Sequence, residues 1–281
     1  MNALEIKNLS RAFSGFQLKN IELILPMGCI MGLVGENGAG KSTTIKLILD
    51  MLRKDSGSIT VLEKDSEREA ALIKEDVGVV MDEVGIPECL TALQVGKIMK
   101  HTFRNWDSVE YERLIHKLSV PDKKPFGQLS RGMKMKLGIA IAMSHGAKLL
   151  LLDEPTSGLD PVVRDDVVEM LYEFTRDESH SILISSHIVS DLERLCDYVA
   201  FLHRGELLIC EEKDELTTKY GILHCTAEEL SRIDGEIVIG KRETPYGIEA
   251  MVLRRGVPEG FRISPISLEE IFVFTVRGAE K

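Results

Sequence analysis

Nine consecutive residues, Gly35-Glu-Asn-Gly-Ala-Gly-Lys-Ser-Thr43, fit the pattern G-x-x-x-x-G-K-[ST]. Such a window works only between a strand and a helix. Gly35, Gly38 and Gly40 allow backbone conformations that a Cβ would block, so successive N–H groups can turn inward around phosphate oxygens. A helix starting near Lys41 sets its positive end against the same anion. The flanks agree: Cys29-Ile-Met-Gly-Leu-Val34 reads as a buried strand, and Thr43-Thr-Ile-Lys-Leu-Ile-Leu-Asp50 reads as the helix. The window predicts a nucleotide phosphate site drawn from Gly35, Asn37, Gly38, Gly40, Lys41, Ser42 and Thr43. Lys41 is expected at the β- and γ-phosphates and the Ser42 hydroxyl at Mg²⁺.

Two further elements carry chemistry. In Leu149-Leu-Leu-Leu-Asp-Glu154, four apolar residues end in adjacent carboxylates. Neighbouring side chains alternate along a strand, but at its end both can approach a nucleotide. Asp153 is expected to hold Mg²⁺, directly or through water, and Glu154 to polarise an attacking water as general base. Between phosphate loop and acid pair lies Leu129-Ser-Arg-Gly-Met-Lys-Met-Lys136. A serine before a helix is by itself an N-cap. Placed here, Ser130 and Gly132 offer a hydroxyl and close backbone approach to a second phosphate contact.

The rest of the chain bounds these readings. Its 281 residues suit one large domain with an appendage, or two small domains. A 44% hydrophobic, 28% charged composition is that of a soluble globular protein. The net charge of −10 argues against direct nucleic-acid binding, which leaves a basic footprint. Cys29, Cys89, Cys196, Cys210 and Cys225 are scattered and form no C-x-x-C pair, so free thiols are expected. Met1-Asn-Ala-Leu-Glu-Ile reads as the start of a strand rather than a signal segment. No run approaches the roughly 18 apolar residues of a membrane span.

Strands alternate with helices around the phosphate loop, which implies a mostly parallel sheet flanked by helices. The first 80 or so residues read as β-rich, with Ile59–Leu62 and Val77–Met81 as strands. Residues 83–142 turn helical, with helical spacing in Tyr111–Leu118. Asp165–Arg176 and Ser190–Cys196 read as helices, Ser181–Ser185 as a strand, and Val199–Leu202 with Glu206–Ile209 as a hairpin. Composition shifts near Thr217–Ile222, beyond which come a short mixed region and a final helical stretch, Ser267–Phe274.

Taken in order, these motifs resemble the ATP-binding subunits of ABC transporters over about residues 2–216, with Leu129–Gly132 as the distinguishing signature. The resemblance implies an α/β phosphate-loop NTPase fold with a mostly parallel sheet core, an N-terminal antiparallel β region, an inserted helical subdomain and a small C-terminal appendage. The corresponding domains are residues 1–216, with the helical subdomain at about 83–142, and an accessory region at 217–281. It also implies that Phe13 stacks on adenine, that Asp160 lies in the loop linking two ATP sites, and that His187 contacts the γ-phosphate and holds Glu154 and water in place. One position departs from the pattern. The family usually carries a Gln after the strand at Val77–Met81, and this chain has Asp82, a shorter, charged side chain that can still offer an oxygen to Mg²⁺ or nucleotide.

The same resemblance implies an ATPase using ATP and Mg²⁺, working as a head-to-tail homodimer or as a heterodimer with a related ATPase. Each ATP would lie between one phosphate loop and the other chain's Ser130–Gly132. A separate multi-span membrane permease would be the partner, at the cytoplasmic face of the membrane. Arg104-Asn-Trp-Asp107, Gly132–Leu137 and Ser267–Phe272 resemble Gram-positive exporter ATPases associated with peptide, lipid or antibiotic export. Other readings stay open: an importer subunit, a soluble ABC ATPase acting on nucleic acid or ribosomes, and a non-hydrolysing regulatory module.

Overall fold

The computed structural model describes residues Met1–Ala279. The chain opens with β1 (Asn2–Phe13), β2 (Phe16–Pro26) and β3 (Ile30–Val34), followed by α1 (Lys41–Ile48), β4 (Ser56–Val61), β5 (Lys64–Asp65), α2 (Ala70–Asp76) and β6 (Val77–Val80). The helical insertion comprises α3 (Ala92–Thr102), α4 (Ser108–Lys117) and α5 (Arg131–Met143). Then come β7 (Leu149–Asp153), α6 (Pro161–Phe174), β8 (Ser181–Ser186), α7 (Val189–Leu195), β9 (Tyr198–His203), β10 (Glu206–Glu212) and α8 (Lys213–Lys219). The remainder is β11 (Tyr220–Cys225), α9 (Ala227–Leu230), β12 (Val238–Thr244), β13 (Gly247–Leu253), β14 (Ile263–Ser264) and α10 (Leu268–Ala279).

The central sheet has the order β10-β9-β3-β8-β7-β6, parallel except for the β9–β10 hairpin. Its inner strands β3, β7 and β9 are apolar on both faces because both faces are covered, and period-two alternation sorts the sheet's side chains into two cores. Met31, Leu33, Leu149, Leu151, Leu183 and Leu202 point into one core, shared with α1 and the antiparallel sheet β2-β1-β4-β5. Ile30, Val34, Leu150, Leu152, Ile184 and Phe201 point into the other, shared with the helices. β3 and β7 thus carry the phosphate loop and the acid pair from the middle of a rigid slab.

Local signals set the helix starts. Thr91 and Gln94 form a capping box on α3, Asp107 caps α4, and Ser130 caps α5. α6 begins at Pro161, four residues before the periodicity suggested, because Asp160 caps it and Pro161 suits the first helical position.

Residues beyond the composition shift form more structure than the short mixed region expected. β11–β14 make a second antiparallel sheet of order β12-β13-β11-β14. One face, through Tyr220, Ile222 and Met251, joins the helix-side core of the central sheet. The other, through Leu223, Cys225, Ala250 and Val252, covers a small cluster of its own. With both faces buried, β11 shows no alternation, and β12 is mostly polar, so neither announces itself as a strand. α10 joins the two parts: Ile271 and Phe274 are fully buried in the large core, the Phe272 ring meets Phe201 edge-on at 5.3 Å, and the Leu268 N–H donates to Glu193.

Removing Phe274 as Ala is expected to cost about 3–5 kcal/mol. The only tryptophan, Trp106, lies in the helical insertion against Tyr111. Its fluorescence midpoint in urea should fall with the loss of Phe274; an unchanged Trp106 transition would show that the accessory sheet folds apart from the rest.

Candidate active site

The phosphate loop follows β3 at the centre of the sheet, and its glycines answer to identifiable neighbours. Gly40 has φ +112°, and a Cβ there would lie 2.7 Å from Leu18 Cδ2 and 2.9 Å from the Phe16 ring. At Gly35 a Cβ would collide with the Leu202 carbonyl oxygen. α1 then starts with no side-chain cap and no acidic residue in its first turn, so its N-terminal N–H groups are left to an anion. Ser42 and Thr43 are half-buried at that end. Lys41 is 5% exposed, and its Nζ donates to the carbonyls of Gly35 (2.7 Å) and Glu36 (3.3 Å). The lysine therefore curls back over the loop it follows.

β7 delivers the acid pair. Asp153, 2% exposed, accepts a 2.6 Å hydrogen bond from Ser185 Oγ on the adjacent strand β8. Glu154 takes a left-handed backbone, φ +53°, and its N–H donates to the Ser185 hydroxyl and carbonyl. That turn swings Glu154 out of the strand direction and over the phosphate loop. Its Oε1 lies 3.1 Å from Lys41 Nζ, as an ion pair without hydrogen-bond alignment, and its Oε2 lies 2.7 Å from His187 Nδ1. The His187 N–H also points at Oε2, at 3.4 Å. Lys41, the adjacent Asp153 and Glu154, and His187, drawn from three distant segments, thus meet in one connected group. Ser185 completes it, and sequence reasoning missed it. Its signal was weak: a hydroxyl ending an apolar strand, in register with Asp153.

Two other side chains border the loop. Glu36 Oε1 sits 2.8 Å from His203 Nδ1 and accepts from the Arg204 N–H, tying the loop to the β9–β10 hairpin. Burial raises the Glu36 pKa, but its own N–H, His203 and the Arg204 N–H outweigh that, and the net shift is downward. A cavity of about 500 Å³ lies between Asn37 and Gly38 on one side and Phe272, Val276 and Arg277 of α10 on the other. Phe13 stands at an exposed corner, stacked on Phe16 at 6.3 Å with the Arg11 guanidinium 5.0 Å from its ring. Through Phe16 it reaches Gly40.

The remaining expected residues lie in a second group. Ser130 Oγ accepts from the Met133 N–H and Asp160 Oδ1 from the Val163 N–H, so each caps its helix. Gly132 rests against Val163, 3.0 Å from where a Cβ would stand. Asp82 is engaged by Arg131, whose Nη2 donates to Oδ1 at 2.7 Å. Among the described residues no hydrogen bond or ion pair links Ser130, Asp160 or Asp82 to the phosphate loop. Replacing Ser185 with Ala removes the hydroxyl that donates to Asp153 and leaves the Glu154 N–H only its bond to the Ser185 carbonyl. Activity should fall about 10–100-fold, as for other residues that orient ligands, with kcat affected more than the KM for ATP in a steady-state assay.

The family model described as ABC transporter matches residues 18–157. The ABC transporter ATP-binding protein YtrB of Bacillus subtilis is 28% identical over 99% of both chains. The lantibiotic transport ATP-binding protein SrtF of Streptococcus pyogenes is 35% identical over 75% of this chain and 91% of its own. Among solved structures, an ATP-binding subunit of an ABC transporter superposes with a TM-score of 0.69 at 27% identity, covering 76% of this chain and 91% of that one. That agreement, in sequence over nine-tenths of a relative and in fold over nine-tenths of a solved subunit, places the chain in the ABC transporter ATP-binding family, whose members hydrolyse ATP to power transport.

Proposed function

We propose that this ATPase drives an exporter, and that two copies, or one copy and a related ATPase, close head to tail around two ATP molecules. The observation that carries the reading is the separation of the two residue groups. Lys41, Asp153, Glu154 and His187 form one connected set, while Ser130 and Gly132 sit at a helix start with no bond to it. A second chain's Ser130–Gly132 would complete the phosphate site, with Asp160 in the loop between the two sites.

The residues fit ATP with Mg²⁺. The buried Asp153 carboxylate and the Ser42 hydroxyl are the oxygen donors a hard divalent cation takes, and such an ion draws the rest from phosphates and water. Bound there, Mg²⁺ would neutralise phosphate charge. Lys41 would hold the β- and γ-phosphates while Phe13 offers a ring to adenine. Glu154, once parted from Lys41 by the phosphates, would accept a proton from the attacking water. His187 would keep that carboxylate and the γ-phosphate aligned.

Among the described residues no helix is long and apolar enough to cross a membrane. A separate permease would supply the spans and select the cargo, with this chain at the cytoplasmic face and its helical insertion toward the permease. Peptides, lipids or antibiotics would be the cargo, a reading that likeness to a lantibiotic transport protein supports. Glu154→Gln should keep ATP binding and lose about 10²–10⁴ in turnover. Under saturating MgATP it should run as a dimer in size-exclusion chromatography with light scattering. A nucleotide-loaded monomer would sink the head-to-tail reading.

A further inference from the structure

Asp82 follows β6, the edge strand of the central sheet, whereas Arg131 is the first residue of α5. Their 2.7 Å ion pair joins the sheet edge to the helix start that carries Ser130 and Gly132. The same guanidinium lies against the loop after the acid pair: a Cβ on Gly158 would stand 3.3 Å from Arg131 Nη1 and 3.4 Å from its Cζ. Three segments, after β6, at the start of α5 and after β7, therefore meet on one side chain. All three adjoin expected site residues: Asp82 itself, Ser130 with Gly132, and Asp160.

Both partners are about half exposed, at 52% and 51%. Pairs of that kind add little to fold stability. They can bias a loop between two arrangements, since a small difference in free energy suffices for that. The pair also occupies Asp82. The bond takes Oδ1, so the carboxylate is turned toward the start of α5.

We propose that Arg131 is a positioning residue. Its pair with Asp82 holds the start of α5 against the chain's own sheet edge and the Gly158 loop in the resting subunit. Presentation of Ser130 and Gly132 to a second subunit's nucleotide is then coupled to release of Asp82. This rests on the head-to-tail reading above.

The test uses the full chain carrying Glu154→Gln, with MgATP titrated against dimer formation by light scattering. Asp82→Asn, Arg131→Met and the charge-swapped pair Asp82→Arg with Arg131→Asp are compared in that background. Either single variant should dimerise at about 2–5-fold lower MgATP, the scale of one surface ion pair, and the swap should return the midpoint toward that of the unmodified pair. Added salt should mimic the single variants only where the pair is intact. In the chain with Glu154 retained, Asp82→Asn and Arg131→Met should lower the Mg²⁺ needed for ATP turnover alike, as they do for dimerisation. A rise in the Mg²⁺ needed by Asp82→Asn, with Arg131→Met silent, makes Asp82 a metal ligand and overturns the proposal. Unchanged dimerisation midpoints overturn it too while leaving the head-to-tail reading intact. Failure of the Glu154→Gln chain itself to dimerise removes both.

Discussion

Glu154 stands between two basic side chains, Lys41 and His187, and the active site is organised by that contact. A lysine 5% exposed needs a counter-charge, because an unpaired ammonium is costly away from water. The Glu154 carboxylate supplies that counter-charge. Under the function proposed above, a phosphate at the loop would take over Lys41 and leave Glu154 to water, so that binding and activation of the base would be one exchange of partners. The left-handed backbone at Glu154 and the Ser185 hydroxyl beneath it make the exchange geometrically available.

The rigid slab explains why so few side chains suffice. β3 and β7 are buried on both faces, and their alternation locks each strand between two cores. A shift by one residue would turn every side chain over, so the ends of these strands are held in register. The phosphate loop and the acid pair leave the sheet at the carboxyl ends of parallel strands, where α/β sheets place their ligands.

Much of this was legible in the chain itself. Gly40, Lys41, Asp153 and Glu154 stand out because phosphate and water chemistry suits those residue types at that spacing, whereas His187 is picked out only by the family resemblance. The parallel strands are visible as short apolar runs. Ser185 was not legible, since a serine at a strand end is unremarkable until Asp153 is seen across from it. The Arg131–Asp82 pair depends on a contact between distant segments, which no local pattern encodes. The accessory sheet was hidden for a different reason: burial on both faces of β11 removes the alternation by which strands are read, and the polar β12 lacks it altogether.

The placement of α10 bears on how proteins of this shape can be recombined. Composition changes near residue 217, which suggests a natural cut. The core does not change there: Leu216, Tyr220, Met251, Ile271 and Phe274 belong to the same cluster as Leu152 and Phe201. An exchange of C-terminal regions between relatives at that seam would leave Phe201 and Glu193 facing a foreign helix, with Phe201 next to the Leu202 carbonyl that packs on Gly35. A workable graft has to carry its own versions of β9 and α7 with it.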